Sequence, residues 1–388
     1  MSLKSSVDVV LSTAAKCADI PGVAALVTNR EGTLYEGAFG VRKLGESAPM
    51  TLDTVGLIAS MTKAITSTAA MQLVEQGKLD LDSPASKWLP DLGKVQVLEG
   101  FDAAGQPKTR PPKRPVTLKH LLTHTAGFGY EFLAEGVKKY QAATGTPGFA
   151  SSAYASLQTP LLFDPGERWE YGINTDWAGL LVEKASGQRL GDYLARHVLE
   201  PLGMKDTAIT MRPDMRARFA SIHARLPDGS LTPIDLVLPQ EPETHMGGQA
   251  LYGTVVDYGK FARMILNRGV APGGRVLKAE TVDAMSTNQI GSLQVPSIKS
   301  LDPTFSNDLP LPPDIPHQWS LAFMINTKTL PTGRKPGSLM WAGLTNCYYW
   351  IDPTSGIAGV FLTQILPFAD VKAFPLFFNF EATVYQNL

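Results

Sequence analysis

Apolar positions recur at helical spacing over residues 8–17 and at the tighter spacing of extended chain over 22–28 and 33–40. The turn-forming Asn29-Arg30-Glu31-Gly32 separates the two extended runs, so the pattern predicts a hairpin. Residues 64–77 read as a helix with Ile65, Ala69, Leu73 and Val74 on one side and Gly77 as its stop. From about residue 80 to 205 helical signals dominate between loops rich in Pro and Gly. Residues 116–124, 176–186, 190–198 and, further on, 256–267 are amphipathic candidates. Prolines punctuate residues 295–317 too often for regular structure, which predicts a covering loop. Strand-like runs return at 320–327, 338–342, 346–352 and 357–365, and a last helix is expected over 368–385. Strands at both ends with helices between predict an α+β fold, one sheet built from both termini around a helical insertion.

A length of 388 residues suits two domains or one large one. Hydrophobic residues at 44% and charged residues at 18% describe an ordinary globular protein. The formal net charge of −1 gives no electrostatic case for nucleic acid. The densest basic stretch, Lys108 to Arg114, is broken by prolines, lacks aromatics for base stacking and reads as a solvated loop. Cys17 and Cys347 are too few and too distant for a disulfide framework or a Cys-rich zinc site. The six histidines show no metal-ligand spacing, so no metal and no cofactor are expected. Neither a signal-peptide core nor a long apolar run is seen, which predicts a cytoplasmic protein without membrane partners.

One short run carries chemistry. In Ser60-Met61-Thr62-Lys63 the serine and lysine lie three apart, so on a helix they share a face and their side chains come within hydrogen-bond reach. A serine hydroxyl is a weak nucleophile and needs such a neighbour. Ser60 would also sit at the N-terminal end of the helix over 64–77, where free N–H groups favour developing negative charge. Chance alone also yields an S-x-x-K in a chain with many Ser and Lys residues, and further segments decide the matter.

Those segments are Leu118-Lys119-His120-Leu121-Leu122-Thr123-His124-Thr125-Ala126-Gly127, the tyrosine of Pro165-Gly166-Glu167-Arg168-Trp169-Glu170-Tyr171, and Gly247-Gly248-Gln249-Ala250-Leu251-Tyr252. With Ser60 and Lys63 they occur in the order found in serine β-lactamases and penicillin-binding proteins and span nearly the whole chain. Within that group the sequence resembles the class C-like esterases called family VIII carboxylesterases. The resemblance implies an antiparallel sheet flanked by helices, with residues 1–80 and 206–388 forming a discontinuous α/β domain, 81–205 a mainly helical domain, and the active site in the cleft between them. It implies catalysis by Ser60, Lys63 and Tyr171 through an acyl-enzyme on Ser60, the lysine ammonium favouring the phenolate. The oxyanion hole maps to the backbone amides of Ser60 and Leu344. Tyr130, Asp176, His245, Trp341 and Gly343 are expected to bind substrate, and His120 and His124 to be structural.

Two departures set the expected substrate. Where penicillin-recognising members carry Lys-Thr-Gly or Lys-Ser-Gly, this chain has Trp341-Ala342-Gly343. That exchange removes a charged hydrogen bond of roughly 1.5–3 kcal/mol to an anionic substrate and supplies a flat apolar wall. The β-lactamase Tyr-x-Asn is Tyr171-Gly172-Ile173, with Asn174 one place late. The expectation is therefore a carboxylesterase for short- to medium-chain esters. The alternatives are a β-lactamase or D-alanyl-peptidase, or an acyltransferase to an alcohol other than water. No G-x-S-x-G elbow is present for an α/β-hydrolase.

Overall fold

The computed structural model describes residues 2–388. Its centre is a sheet of seven strands in which both chain ends meet: β1 (Gly22–Asn29), β2 (Thr33–Gly40), β3 (His317–Trp319), β4 (Met324–Asn326), β5 (Leu339–Gly343), β6 (Cys347–Asp352) and β7 (Ile357–Leu362). The spatial order is β3-β4-β5-β6-β7-β1-β2 and every pairing is antiparallel, β1 lying between its hairpin partner β2 and the late strand β7.

The helices that frame this sheet are α1 (Leu3–Lys16), α2 (Thr62–Glu75), α3 (Leu118–Leu122), α4 (Asn174–Ser186), α5 (Val255–Leu266) and α6 (Ala373–Gln386). Both faces of the sheet are covered, which is why β6 and β7 are buried at every position instead of alternating. On one face α1 and α6 bury Val7, Leu11, Phe377 and Phe380 against Val23, Ala25, Trp350 and Phe361. On the other, α5 packs Tyr258, Phe261 and Ala262 over Leu26, Tyr349 and Val360 in a core that continues into α2, α3 and α4.

Several boundaries differ from the sequence reading for local reasons. Helix α1 starts at Leu3 because the Ser2 side chain accepts the Ser5 N–H and caps it. Helix α6 starts only at Ala373, where Asp370 Oδ1 accepts the N–H groups of Lys372 and Ala373. The run 320–327 is a turn followed by a strand, since Ser320 Oγ accepts from the N–H groups of Ala322 and Phe323. Strand β7 stops at Leu362, and Ile365–Leu366 pairs in parallel with Ile222–Arg225 in a separate small sheet. The stretch between α2 and α4 holds a β-hairpin, Val97–Phe101 with Pro107–Arg110, inside what read as helical sequence. Lys108, Lys113 and Arg114 are exposed as a solvated stretch would be, but Arg110 is not free. Arg110 grips Asp164 through two nitrogens at 2.9 and 2.7 Å and Lys113 adds a third contact, which holds that buried carboxyl far below the usual carboxylate range.

Helix α2, which carries Lys63, is enclosed on all sides. The sequence suggested an apolar side and a polar side, but every residue from Thr62 to Leu73 is buried. Small residues make this tolerable, and two threonines are satisfied inside: Thr66 Oγ1 donates to Gly247 O at 2.7 Å and Thr68 Oγ1 to Ala64 O at 2.9 Å.

Candidate active site

Ser60 lies in a single 3₁₀ turn, Ala59–Met61, that leads into α2. The residue before it, Ala59, has φ 43°, a left-handed conformation that costs a non-glycine residue on the order of 1 kcal/mol or more. Stored strain of this kind is held only where surrounding contacts over-determine it. Here one such contact is the end of β5, packed so tightly that a Cβ on Gly343 would lie 2.4 Å from Ile58 O. Gly343 therefore lets the backbone that continues into Leu344 approach the turn carrying Ser60.

Lys63 is one turn along and only 2% exposed. Its ammonium donates to Ser60 Oγ at 3.1 Å, Tyr130 Oη at 3.1 Å and Gly248 O at 2.8 Å. An ammonium has three protons, so each has an acceptor and the buried charge is fully partnered. Gly248 is held in turn, its N–H donating to Asp176 Oδ1 at 2.8 Å. A side chain at Gly248 would sit 2.7 Å from Asp176 Oδ2, so the backbone can approach this carboxyl only as glycine. Burial pushes the Asp176 carboxyl up to about 6, against the opposing pull of Lys63 and the Gly248 amide.

The two tyrosines sit in different surroundings. Tyr130 is buried, takes the Lys63 proton on its oxygen, and is held well above the ordinary phenol range by burial and by the negative charge of Asp176. It stays a neutral phenol. Tyr171 accepts a hydrogen bond from Trp341 Nε1 at 3.0 Å, and Lys63 Nζ lies 4.7 Å from its ring centroid. Among the described residues no hydrogen bond joins Tyr171 to Ser60 or Lys63 directly. Its ring is fixed by stacking with Trp169 at 6.1 Å and edge-on contact with Trp341 at 4.9 Å.

Ser60, Tyr130, Tyr171, Trp341, Gly343 and Leu344 all line one cavity of about 330 Å³. Phe132, Phe149 and Gln249 close it beside Ser60, and Ile298, Leu309 and Leu311 from the proline-rich stretch cover it. Its walls are mostly apolar, as small-molecule sites are. Asp176 and His245 lie outside this lining. Asp176 serves the Gly248 backbone, and His245 Nδ1 accepts the Gly191 N–H at 3.0 Å, with burial lowering its pKa to about 4.

His120 closes a capping box with Thr117 at the start of α3. His124 is buried against Tyr171, Trp169 and Trp319, and its Nδ1 meets Asn174 Nδ2 at 3.1 Å. Asn174 also donates to Phe128 O at 3.2 Å, so it ties down the segment leading to Tyr130. The sequence reading assigned no role to Phe132, Phe149 or the Gly248 carbonyl. The Gly247-Gly248 pair was the available signal, since adjacent glycines mark close backbone approach.

A family model described as Beta-lactamase matches residues 10–376. A methylbutanoyltransferase acting on ML-236A carboxylate from Penicillium citrinum is 33% identical, covering 99% of this chain and 94% of that protein. A lovastatin esterase from Penicillium rubens is 32% identical over 93% of each chain. Among solved structures, unliganded simvastatin synthase from Aspergillus terreus superposes with a TM-score of 0.85 at 32% identity, covering 98% of this chain and 97% of that one.

Proposed function

Because the chain belongs to the β-lactamase family, we propose that it is a carboxylesterase that cleaves uncharged short- to medium-chain esters through an acyl-enzyme on Ser60. The observation that carries this reading is the Lys63 ammonium 3.1 Å from Ser60 Oγ at the edge of an apolar cavity walled by Trp341. In the proposed reaction Ser60 Oγ attacks the ester carbonyl while its proton passes to the oxygen of Tyr171. Lys63 Nζ lies over the Tyr171 ring and the Trp341 N–H donates to its oxygen. Backbone N–H groups of Ser60 and Leu344 receive the tetrahedral oxyanion, at about 3–4 kcal/mol per donor. Tyr171 then returns the proton to the departing alcohol, and water activated by the same groups releases the acid. Tyr130, held as a neutral phenol, positions Lys63 and is not the base.

Within this proposal residues 1–80 and 206–388 supply Ser60, Lys63 and Leu344, and the helical part, 81–205, supplies Tyr130 and Tyr171. The cytoplasmic placement expected from the sequence belongs to the same reading. Among the described residues no helix is long and apolar enough to cross a membrane. Changing Ser60 to Ala is expected to abolish hydrolysis of aryl acetates and butyrates, and retained turnover would sink the assignment.

A second reading is favoured by the similar proteins named methylbutanoyltransferases and by the apolar covering stretch over the cavity. It keeps the acyl-Ser60 intermediate but hands the acyl group to an alcohol. Product analysis with added alcohols separates the two, transfer exceeding hydrolysis supporting the second. A lactamase reading lacks a charged partner for the substrate carboxylate at Trp341-Ala342-Gly343.

A further inference from the structure

The cavity that opens at Ser60 does not end on the catalytic face of the sheet. Side chains alternate across a strand, and along β5 Trp341 lies against Tyr171 while Ala342 lies on the opposite side, in the core beneath α6. Met340 and Ala342 line the same cavity as Trp341. The passage exists because β4 pairs with β5 only at Met340 and Leu339, which leaves the edge from Trp341 to Gly343 open on that side. Beyond the edge, Phe374 and Phe378 of α6, with ring centroids 4.9 Å apart, form an apolar wall with Leu330.

This arm reaches a cation that the chain meets only with an ion pair, one oxygen of which, Glu381 Oε2, also lacks a hydrogen bond. Arg334 lines the cavity, yet its side chain is fully buried. Its Nε lies 2.9 Å from Glu381 Oε1, close enough for an ion pair, but neither that nitrogen nor the two terminal ones makes a hydrogen bond. Glu381 is buried as well and takes a second contact from the Thr332 hydroxyl at 2.7 Å. A guanidinium carries five donors, and burying them without acceptors is costly. Glu381 already offers the balancing charge, so a neutral acceptor suits the place better than a second anion.

We propose that this arm is a subsite for the far end of an acyl chain at the upper end of that medium-length range, where Arg334 donates to a neutral carbonyl or ester oxygen. The inference rests on the acyl-Ser60 reading. Tyr171 must protonate the departing alcohol and is anchored to Trp341 on the catalytic face, so the acyl part is the one that turns past Leu344 towards α6.

The test uses p-nitrophenyl esters of one chain length whose far end is a methyl group, a methyl ester or a carboxylate, beside p-nitrophenyl butyrate. The expected result is kcat/KM roughly tenfold higher for the methyl-ester tip than for the methyl tip, as one hydrogen bond from a charged donor would give. Arg334→Met is expected to erase that preference and leave butyrate hydrolysis unchanged. Phe378→Trp, which narrows the arm without touching the ion pair, is expected to slow all the long esters and spare butyrate. Equal rates for the two neutral tips, a preference that survives in R334M, fastest turnover of the carboxylate tip, or unchanged long-ester rates in F378W would each overturn the proposal. Absence of butyrate hydrolysis in the unmodified protein would instead count against the acyl-Ser60 reading itself.

Discussion

Lys63, which donates to the cavity-lining Ser60, and Arg334, which lines the same cavity, are both buried cations, and they are treated in opposite ways. Each proton of Lys63 has an acceptor, supplied by Ser60, Tyr130 and the Gly248 carbonyl, and Asp176 lies behind that carbonyl. Arg334 has one carboxylate nearby and spare donors. A fully partnered charge has a fixed position, which a group that must meet a serine hydroxyl needs. An under-partnered one is poised for something that arrives. The contrast separates groups that hold reacting atoms from groups that select what is brought to them.

The contrast would break most visibly at Lys63. Lys63→Met is expected to lower kcat/KM for an aryl butyrate by about a thousandfold or more, as loss of proton-transfer chemistry does, whereas Arg334→Met leaves it unchanged. Steady-state kinetics on the pair checks both, and similar losses would remove the distinction. Next come the two phenols. Tyr171→Phe is expected to cost about a hundredfold or more as the proton carrier is lost, and Tyr130→Phe only about tenfold, as one positioning contact to the Lys63 ammonium is lost. The reverse ranking would make Tyr130 the base.

Asp176 gives a stability test. Its carboxyl is raised to about 6 in the fold from an ordinary value of 3.8, so between these values the folded protein keeps a proton that the unfolded chain has released. The stability from that proton is complete below the ordinary value and is lost as pH rises through the window to about 6. A difference of about two units amounts to roughly 3 kcal/mol. Denaturant unfolding from pH 4 to 7 is expected to show the decline, and Asp176→Asn is expected to flatten it. An unchanged slope in the variant would place the titration elsewhere. The smallest effect is expected at Trp341→Phe, which keeps a ring but drops the N–H to Tyr171. About a fivefold loss in kcat is anticipated from one neutral hydrogen bond of about 1 kcal/mol.

The parts legible in the sequence are those encoded locally or by a fixed motif. The β1–β2 hairpin, α2 with Ser60 at its start, and the late strands appear close to where periodicity put them. Ser60 and Lys63 are three residues apart, so their meeting follows from helix geometry alone. Tyr130 is 67 positions from Lys63, and no local pattern reports that the lysine reaches its oxygen. The same holds for Arg334 and Glu381, which meet only because α6 folds back over the sheet. The hairpin over 97–110 was hidden because short strands amid Pro- and Gly-rich loops carry too little periodicity to stand out. The family resemblance puts Asp176 in the pocket, but helix α4 turns its carboxyl towards the Gly248 backbone.

Hydrolysis and acyl transfer alike depend on a covalent intermediate at Ser60. Rapid mixing with p-nitrophenyl butyrate, acid quench and intact-mass measurement test it directly. The expected result is a protein heavier by one butyryl group, with the added mass on the peptide containing Ser60 and absent from the Ser60→Ala variant. A butyryl group found on another residue, or undiminished turnover by Ser60→Ala, would contradict it.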